Sequence, residues 1–212
     1  MEERDTKDKI LKGAEGLFMK YGVRSISMDD IARHLSVSKK TLYQHFADKE
    51  DIVTQVCQEH MESKWKKFEA IRKQAANAID ELAMLSVRLK EDMEEMNPAL
   101  LFDLKKYHPK ALAVWERYKG TCMNDSLKQN LVQGIQEGYY RADINVDILS
   151  TANMCLSEMA FDDKVFPHDK FKFSEIQMQL FEQFVYGITT EKGRKLYQKY
   201  REQKFQPSIT AV

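Results

Sequence analysis

The sequence predicts an all-α protein, and three observations carry that prediction. Apolar residues recur at three- and four-residue spacing along nearly the whole chain, and strand-like alternation is hard to find. Glycine and proline are scarce, eight and four in 212 residues, with no proline before Pro98. The composition, 43% hydrophobic and 31% charged, is that of a globular chain with enough length for one large or two smaller domains. No run approaches the ~18 apolar residues of a membrane span, and the opening MEERDTKDKI is charged, unlike a secretion signal. Three well-separated cysteines, Cys57, Cys122 and Cys155, suit a reducing cytoplasm better than a disulfide framework. Lys+Arg and Asp+Glu balance at 33 each, so the formal net charge is zero. A nucleic-acid partner would therefore have to be met by charge arranged locally.

The elements follow in order. A first helix, roughly Thr6 to Tyr21, turns Ile10, Leu11, Ala14, Leu17 and Phe18 to one side. Ser27 with Asp30 three residues on is a capping-box pattern, opening a short helix through Ile31, Ala32 and Leu35. The chain breaks at Ser36-Val37, and Ser38 caps a second short helix with Leu42 and Phe46 inward. Asp48 and Asp51 repeat the device before a long helix from Lys49 to Ile71, whose stripe includes Ile52, Val53, Val56, Cys57, His60, Met61, Trp65 and Phe68. Leu82, Leu85, Leu89 and Met93 mark the next helix, which stops near Asn97-Pro98. A short helix over Ala99–Lys106 precedes one long helix from Lys110 to Glu137, closed by Gly138 as C-terminal cap. The last three fall at Val146–Phe161, Phe173–Ile188 and Glu191–Lys204.

Two short helices with a tight turn and a shared apolar side make a helix-turn-helix. The solvent side of its second helix carries Lys39, Lys40, Thr41, Tyr43, Gln44 and His45, groups that meet phosphates and base edges. From Arg33 to Lys49 one acid, Asp48, stands against Arg33, Lys39, Lys40 and Lys49. On charge alone the same residues could form an ordinary solvated face.

The run Ile10-Leu11, Ala14, Leu17-Phe18, Tyr21-Gly22, Ser27-Met28, Ile31-Ala32, Val37-Ser38, Thr41-Leu42-Tyr43, His45-Phe46 and Lys49-Glu50 resembles the TetR-family DNA-binding signature in order and spacing. Further on, the segment from Gln136 to Asp143 resembles the turn before the last two helices of many members. Two positions depart from the pattern: Ser36 and Lys40 stand where glycine is common, and a left-handed backbone at Ser36 would be mildly strained.

The resemblance implies a homodimer whose second helices enter successive major grooves of a pseudo-palindromic operator, about 34–36 Å apart. On that model Thr41, Tyr43 and Lys49 contact phosphates, aided by the helix N-terminus at Ser27-Met28-Asp29 and by Ser38. Lys39, Lys40, Gln44 and His45 are the candidates for base edges. The implied function is a sequence-specific transcriptional regulator, a cytoplasmic repressor released from DNA by a small-molecule effector.

The expected domains are residues 1–50 for DNA binding, 51–205 for ligand binding and dimerisation, and 206–212 as a flexible tail. Candidates for the subunit interface are Ile148, Ala152, Cys155 and Met159 on one helix and Ile176, Leu180, Phe184 and Ile188 on the next. Candidates for the effector pocket are Trp65, Phe68, Met84, Phe102, Trp115, Tyr118 and Met123, whose character implies an apolar or aromatic effector. The basic residues Lys192, Arg194, Lys195, Lys199, Arg201 and Lys204 are read as a solvated helix face, with a supplementary DNA contact as the alternative. The acids Asp80, Glu81, Glu91, Asp92, Glu94 and Glu95 offset the basic reading helix in the charge balance.

Two other functions fit an all-α chain: a helical interaction protein that keeps the fold without operator binding, and a helical enzyme. His34, His45, His60, His108 and His168 show no metal-ligand spacing, and neither a Gly-rich phosphate loop nor a nucleophile elbow is present. The sequence therefore points to no catalytic residue, no metal site, no cofactor and no membrane partner.

Overall fold

A computed structural model describes residues 2–94 and 96–205 of the chain. The tail expected over 206–212 lies outside the described residues, as does Glu95. Helices account for the architecture: α1 (Glu2–Tyr21), α2 (Met28–His34), α3 (Lys39–His45), α4 (Lys49–Gln74), α5 (Ala78–Glu94), α6 (Ala99–Tyr107), α7 (Pro109–Arg117), α8 (Asp125–Gln136), α9 (Val146–Met159), α10 (Phe173–Ile188) and α11 (Glu191–Phe205). Among the described residues the β structure is one antiparallel bridge, Tyr140 with Thr189.

The chain divides into two compact units. The first holds the described residues up to Trp65 together with those from 96 to Tyr118; the second holds Lys66 to Glu94 and the described residues from Lys119 onward. In the first unit α6 and α7 bring Leu100, Leu104, Ala111 and Val114 onto the core of α1 to α4. In that core Ile10, Leu11, Ala14 and Phe18 of α1 meet Ile31, Leu42 and Phe46 of the short helices and Ile52, Val53, Val56 and Cys57 of α4. Burial pushes the Cys57 thiol up to about 11, so it is a packing residue at neutral pH.

In the second unit α5 packs against α8, α10 and α11. Its core joins Ile79, Leu82 and Ala83 to Leu131, Tyr140, Val185, Ile188 and Tyr197. Tyr140 organises this core: its hydroxyl donates to Asn130 Oδ1 at 2.8 Å and lies 3.1 Å from the Ala78 carbonyl. Asn130 in turn donates to the Ala78 carbonyl and to Glu81 Oε2, at 3.1 and 2.9 Å. Burial raises the Glu81 carboxyl above its usual range, opposed by the Asn130 hydrogen bond. The preceding turn is equally determined. Gly138 has φ 71°, its amide bonds the Ile135 carbonyl and the Tyr139 amide bonds that of Gly134, a Schellman closure that glycine adopts without strain.

One helix differs from the sequence expectation. The segment from Lys110 to Glu137 is interrupted by a π-helical stretch, Tyr118–Asn124, between α7 and α8. Gly120 and β-branched Thr121 lie within it, weak helix formers at the place where the α ladder widens.

Candidate nucleic-acid interface

The helix-turn-helix is built from caps. Ser27 Oγ accepts from the Asp30 amide at 3.2 Å, and Asp30 Oδ2 accepts from the Ser27 amide and hydroxyl at 2.9 and 2.5 Å. These bonds, the hydroxyl's first, hold the Asp30 carboxyl below its usual range. The amides of Met28 and Asp29 open the helix without intrahelical partners, as helix geometry requires. At the other end of α2 the Ser36 amide bonds the Arg33 carbonyl at 3.2 Å and the Val37 amide bonds that of Ala32 at 3.0 Å. This is the same Schellman closure as at Gly138, here with Ser36 at φ 53°.

A side chain in that conformation is strained by roughly 1–2 kcal/mol relative to the right-handed region. Ser36→Gly is therefore expected to stabilise the protein by about 1 kcal/mol after glycine's own entropy cost. Chemical denaturation measures this directly, and a loss of stability would refute the strain argument.

Ser38 caps α3 by accepting from the Thr41 amide at 3.0 Å, and its hydroxyl lies 2.8 Å from Thr41 Oγ1. Leu42 and Phe46 are buried beneath α3, which leaves Lys40, Tyr43 and Gln44 on the outside. Tyr43 is 54% exposed. His45 is half-buried, its ring 6.4 Å from that of Phe46. Lys39 pairs with Asp29 Oδ1 at 2.6 Å, tying α3 to α2 and offsetting its charge. Lys40 is thus the α3 cation without a carboxylate partner among the described residues.

Lys49, at the start of α4, is half-buried and donates through Nζ to the Val23 carbonyl at 2.7 Å. Desolvation lowers its ammonium below the usual lysine range, against the pull of Asp103 and Asp30. One of its three donors is thus spent inside the protein.

Comparison with known proteins decides what this head belongs to. Residues 10–56 match the family model described as bacterial regulatory proteins, tetR family. The HTH-type transcriptional repressor KstR2 of Mycobacterium tuberculosis is 26% identical over 148 residues, covering 66% of this chain and 72% of that protein. The chain belongs to the TetR family. Its fold agrees with a TetR-family transcriptional regulator from Agrobacterium tumefaciens at TM-score 0.74 and 14% identity, covering 89% of this chain and all of that one. The structure of KstR2, described as a ketosteroid transcriptional regulator, superposes at TM-score 0.60 with 23% identity over 87% of this chain and 95% of its own. This TetR-family protein is accordingly a DNA-binding transcriptional regulator.

The remaining candidates fall in both units of the regulator. Trp65, Phe102, Trp115 and Tyr118 belong to the first; Phe68, Met84 and Met123 belong to the second. Phe102 is exposed and Tyr118 buried. On α9, Ile148, Ala152, Cys155 and Met159 are exposed. On α10, Leu180 and Phe184 are half-buried, while Ile176 and Ile188 are buried within their own subunit. Much of the basic charge on α11 is engaged internally: Arg201 pairs with Glu182, Lys204 with Asp80 and Lys195 with Glu191, and Lys192 lies over the Tyr139 ring. Arg24, three residues before the α2 cap, and α6 also lie beside this head; α6 is brought there only by the tertiary fold, through Asp103 on the Arg24 amide and His108 on Glu50.

Proposed function

We propose that the regulator acts as a homodimeric, cytoplasmic repressor that binds a pseudo-palindromic operator through α3 and releases it when a small molecule binds. The observation that carries the reading is the outer face of α3. There Lys40, Tyr43 and Gln44 project from a helix whose other side is sealed by Leu42 and Phe46. Tyr43 and Thr41 supply hydroxyls for phosphates, with Ser27, Met28, Ser38 and Lys49 at the adjoining helix starts. Lys40, Gln44 and His45 supply the donors and acceptors for base edges.

Dimerisation is supported by the exposed apolar row on α9, where Ile148 is 63% exposed and Leu156 and Met159 follow on one side. Pairing two such faces would bury the row and present two α3 helices to adjacent grooves. An apolar or aromatic effector is supported by Trp115 and Tyr118, whose ring centroids lie 6.3 Å apart. Trp115 Nε1 is buried without a hydrogen-bond partner in the protein. An apolar molecule carrying one acceptor would satisfy that donor. KstR2, named for ketosteroids, fits that ligand chemistry. Release follows by population shift, the effector favouring a spacing of the two heads that no longer matches the grooves.

Selection of bound fragments from a random DNA pool, followed by a screen of small molecules for release, tests the whole reading. In the same assay Tyr43→Phe is expected to weaken all selected sequences equally, by roughly 3- to 10-fold for one hydrogen bond. Lys40→Ala is expected to change the order of preference among them. Unchanged affinity for Tyr43→Phe would remove its phosphate role.

A further inference from the structure

Three cations outside the two short helices share one arrangement. Lys20 Nζ lies 5.1 Å from the Tyr21 ring centroid, Arg24 Cζ 5.4 Å from that of Tyr107, and Lys106 Nζ 5.5 and 5.3 Å from those of Phe102 and Tyr107. All six side chains are exposed, Phe102 by 53%. None of the three cations has a carboxylate partner among the described residues. A ring beneath a cation restrains its long side chain and leaves its outer donors available. Three exposed aromatic rings carrying three unpaired cations form a surface suited to an anionic partner.

The fold fixes this surface to the DNA-reading head. Buried Asp103 on α6 accepts from the Arg24 amide at 2.9 Å, and Asn97 Nδ2 donates to the Lys20 carbonyl at 3.5 Å. Arg24 precedes the α2 cap Ser27 by three residues, and the Val23 carbonyl beside it holds the Lys49 ammonium. On the other side, Glu50 pairs with His108 Nδ1 at 2.5 Å and accepts from the Lys110 amide at 3.2 Å. The residue after Tyr107 is thus bound to the first turn of α4. The patch is joined to the starts of both α2 and α4, the two elements that flank α3.

We propose that Lys20, Arg24 and Lys106, seated on Tyr21, Phe102 and Tyr107, grip the DNA backbone beside the bases that α3 reads, so that the regulator senses duplex flanking its half-site. The inference rests on the α3 reading above and adds a second, sequence-independent contact. Charge complementarity and continuity with the reading head select DNA over an acidic protein. A chain with zero net charge must draw its attraction for DNA from such local clusters.

The test is anisotropy titration across a range of KCl, using a fragment recovered from the random pool both with long flanks and trimmed to its half-sites. The triple variant Lys20→Gln, Arg24→Gln, Lys106→Gln is expected to lower the slope of log K against log [KCl] by roughly 2–3 per subunit on the long duplex, at about 0.9 per phosphate. Trimming the flanks is expected to abolish the difference from wild type, with base preference unchanged. The charge-keeping variant Lys20→Arg, Arg24→Lys, Lys106→Arg should retain the wild-type slope. If it loses as much as the glutamine variant, the effect is structural and the inference falls. It falls equally if the glutamine variant keeps the wild-type slope on long DNA, the result expected were the patch to serve an acidic protein. Absence of wild-type binding to any duplex would instead overturn the α3 reading, and this proposal with it.

Discussion

Gly134→Ala is expected to destabilise the second unit by about 3 kcal/mol or more, at the upper end of what overpacking costs. A Cβ at Gly134 would lie 2.1 Å from two ring carbons of Tyr140. Real atoms do not approach so closely, so either the ring or helix α8 must move. The ring is not free to move, being 2% exposed with its hydroxyl held by Asn130 beside the Ala78 carbonyl. Swinging it away would leave a buried hydroxyl and the Asn130 amide oxygen unpaired, a further penalty of roughly 1–3 kcal/mol each. In a chain of this size a loss near 3 kcal/mol lowers the melting temperature by roughly 6–12 °C. The control is Gly16→Ala in α1, where nothing lies within 4 Å of the added methyl. That change is expected to gain about 0.5–1 kcal/mol from helix propensity alone. Similar melting curves for the two variants would show that the Gly134–Tyr140 contact does not constrain the core.

Ile148→Glu is expected to leave the subunit folded and to lower operator affinity by roughly 100-fold or more, the scale of avidity lost when two sites are uncoupled. Ile148 is 63% exposed, so its replacement removes little packing from its own subunit. Ala152, Cys155, Leu156 and Met159 continue the exposed side of α9 below it. An isologous pair would place these rows against each other, so a carboxylate introduced into the row enters the interface twice and is desolvated there. Sedimentation should show a monomer at micromolar concentration where the proposed function requires the wild type to be a dimer, with circular dichroism unchanged. A variant that still sediments with the wild type would move the interface elsewhere, and α10, with Leu180 and Phe184 half-buried, would be the next face to test.

Both predictions depend on features that the sequence signalled only in part. The segment from Gln136 to Asp143 stands out from its letters, and Gly138 reads as a helix stop. The reason Gly134 must be glycine is the Tyr140 ring, which lies six residues on and across a turn. The exposed α9 row was legible as apolar spacing. The same spacing on α10 could not show that Ile176 and Ile188 turn inward, because a helical stripe records only that a face is covered, not which element covers it.

The interface shows the same division. The caps Ser27, Ser38 and Asp48 were readable because capping is local, a side chain bonding an amide two or three residues away. The left-handed backbone at Ser36 followed from its place in the turn. Nothing local could reveal that Lys39 pairs with Asp29, that Lys49 bonds the Val23 carbonyl, or that Asp103, 79 positions from Arg24, brings α6 beside the reading head.

The sequence by itself determined the helices, the caps that start them, the helix-turn-helix and the DNA-binding family. The first three rest on periodicity or on hydrogen bonds within a few residues, and the family on the resemblance of residues 10–50 to its signature. Only the tertiary structure decided which basic side chains remain available to DNA, which apolar rows stay exposed, and where glycine is demanded by a neighbour. These properties depend on contacts between residues far apart in the chain, whose pairing local propensity does not encode.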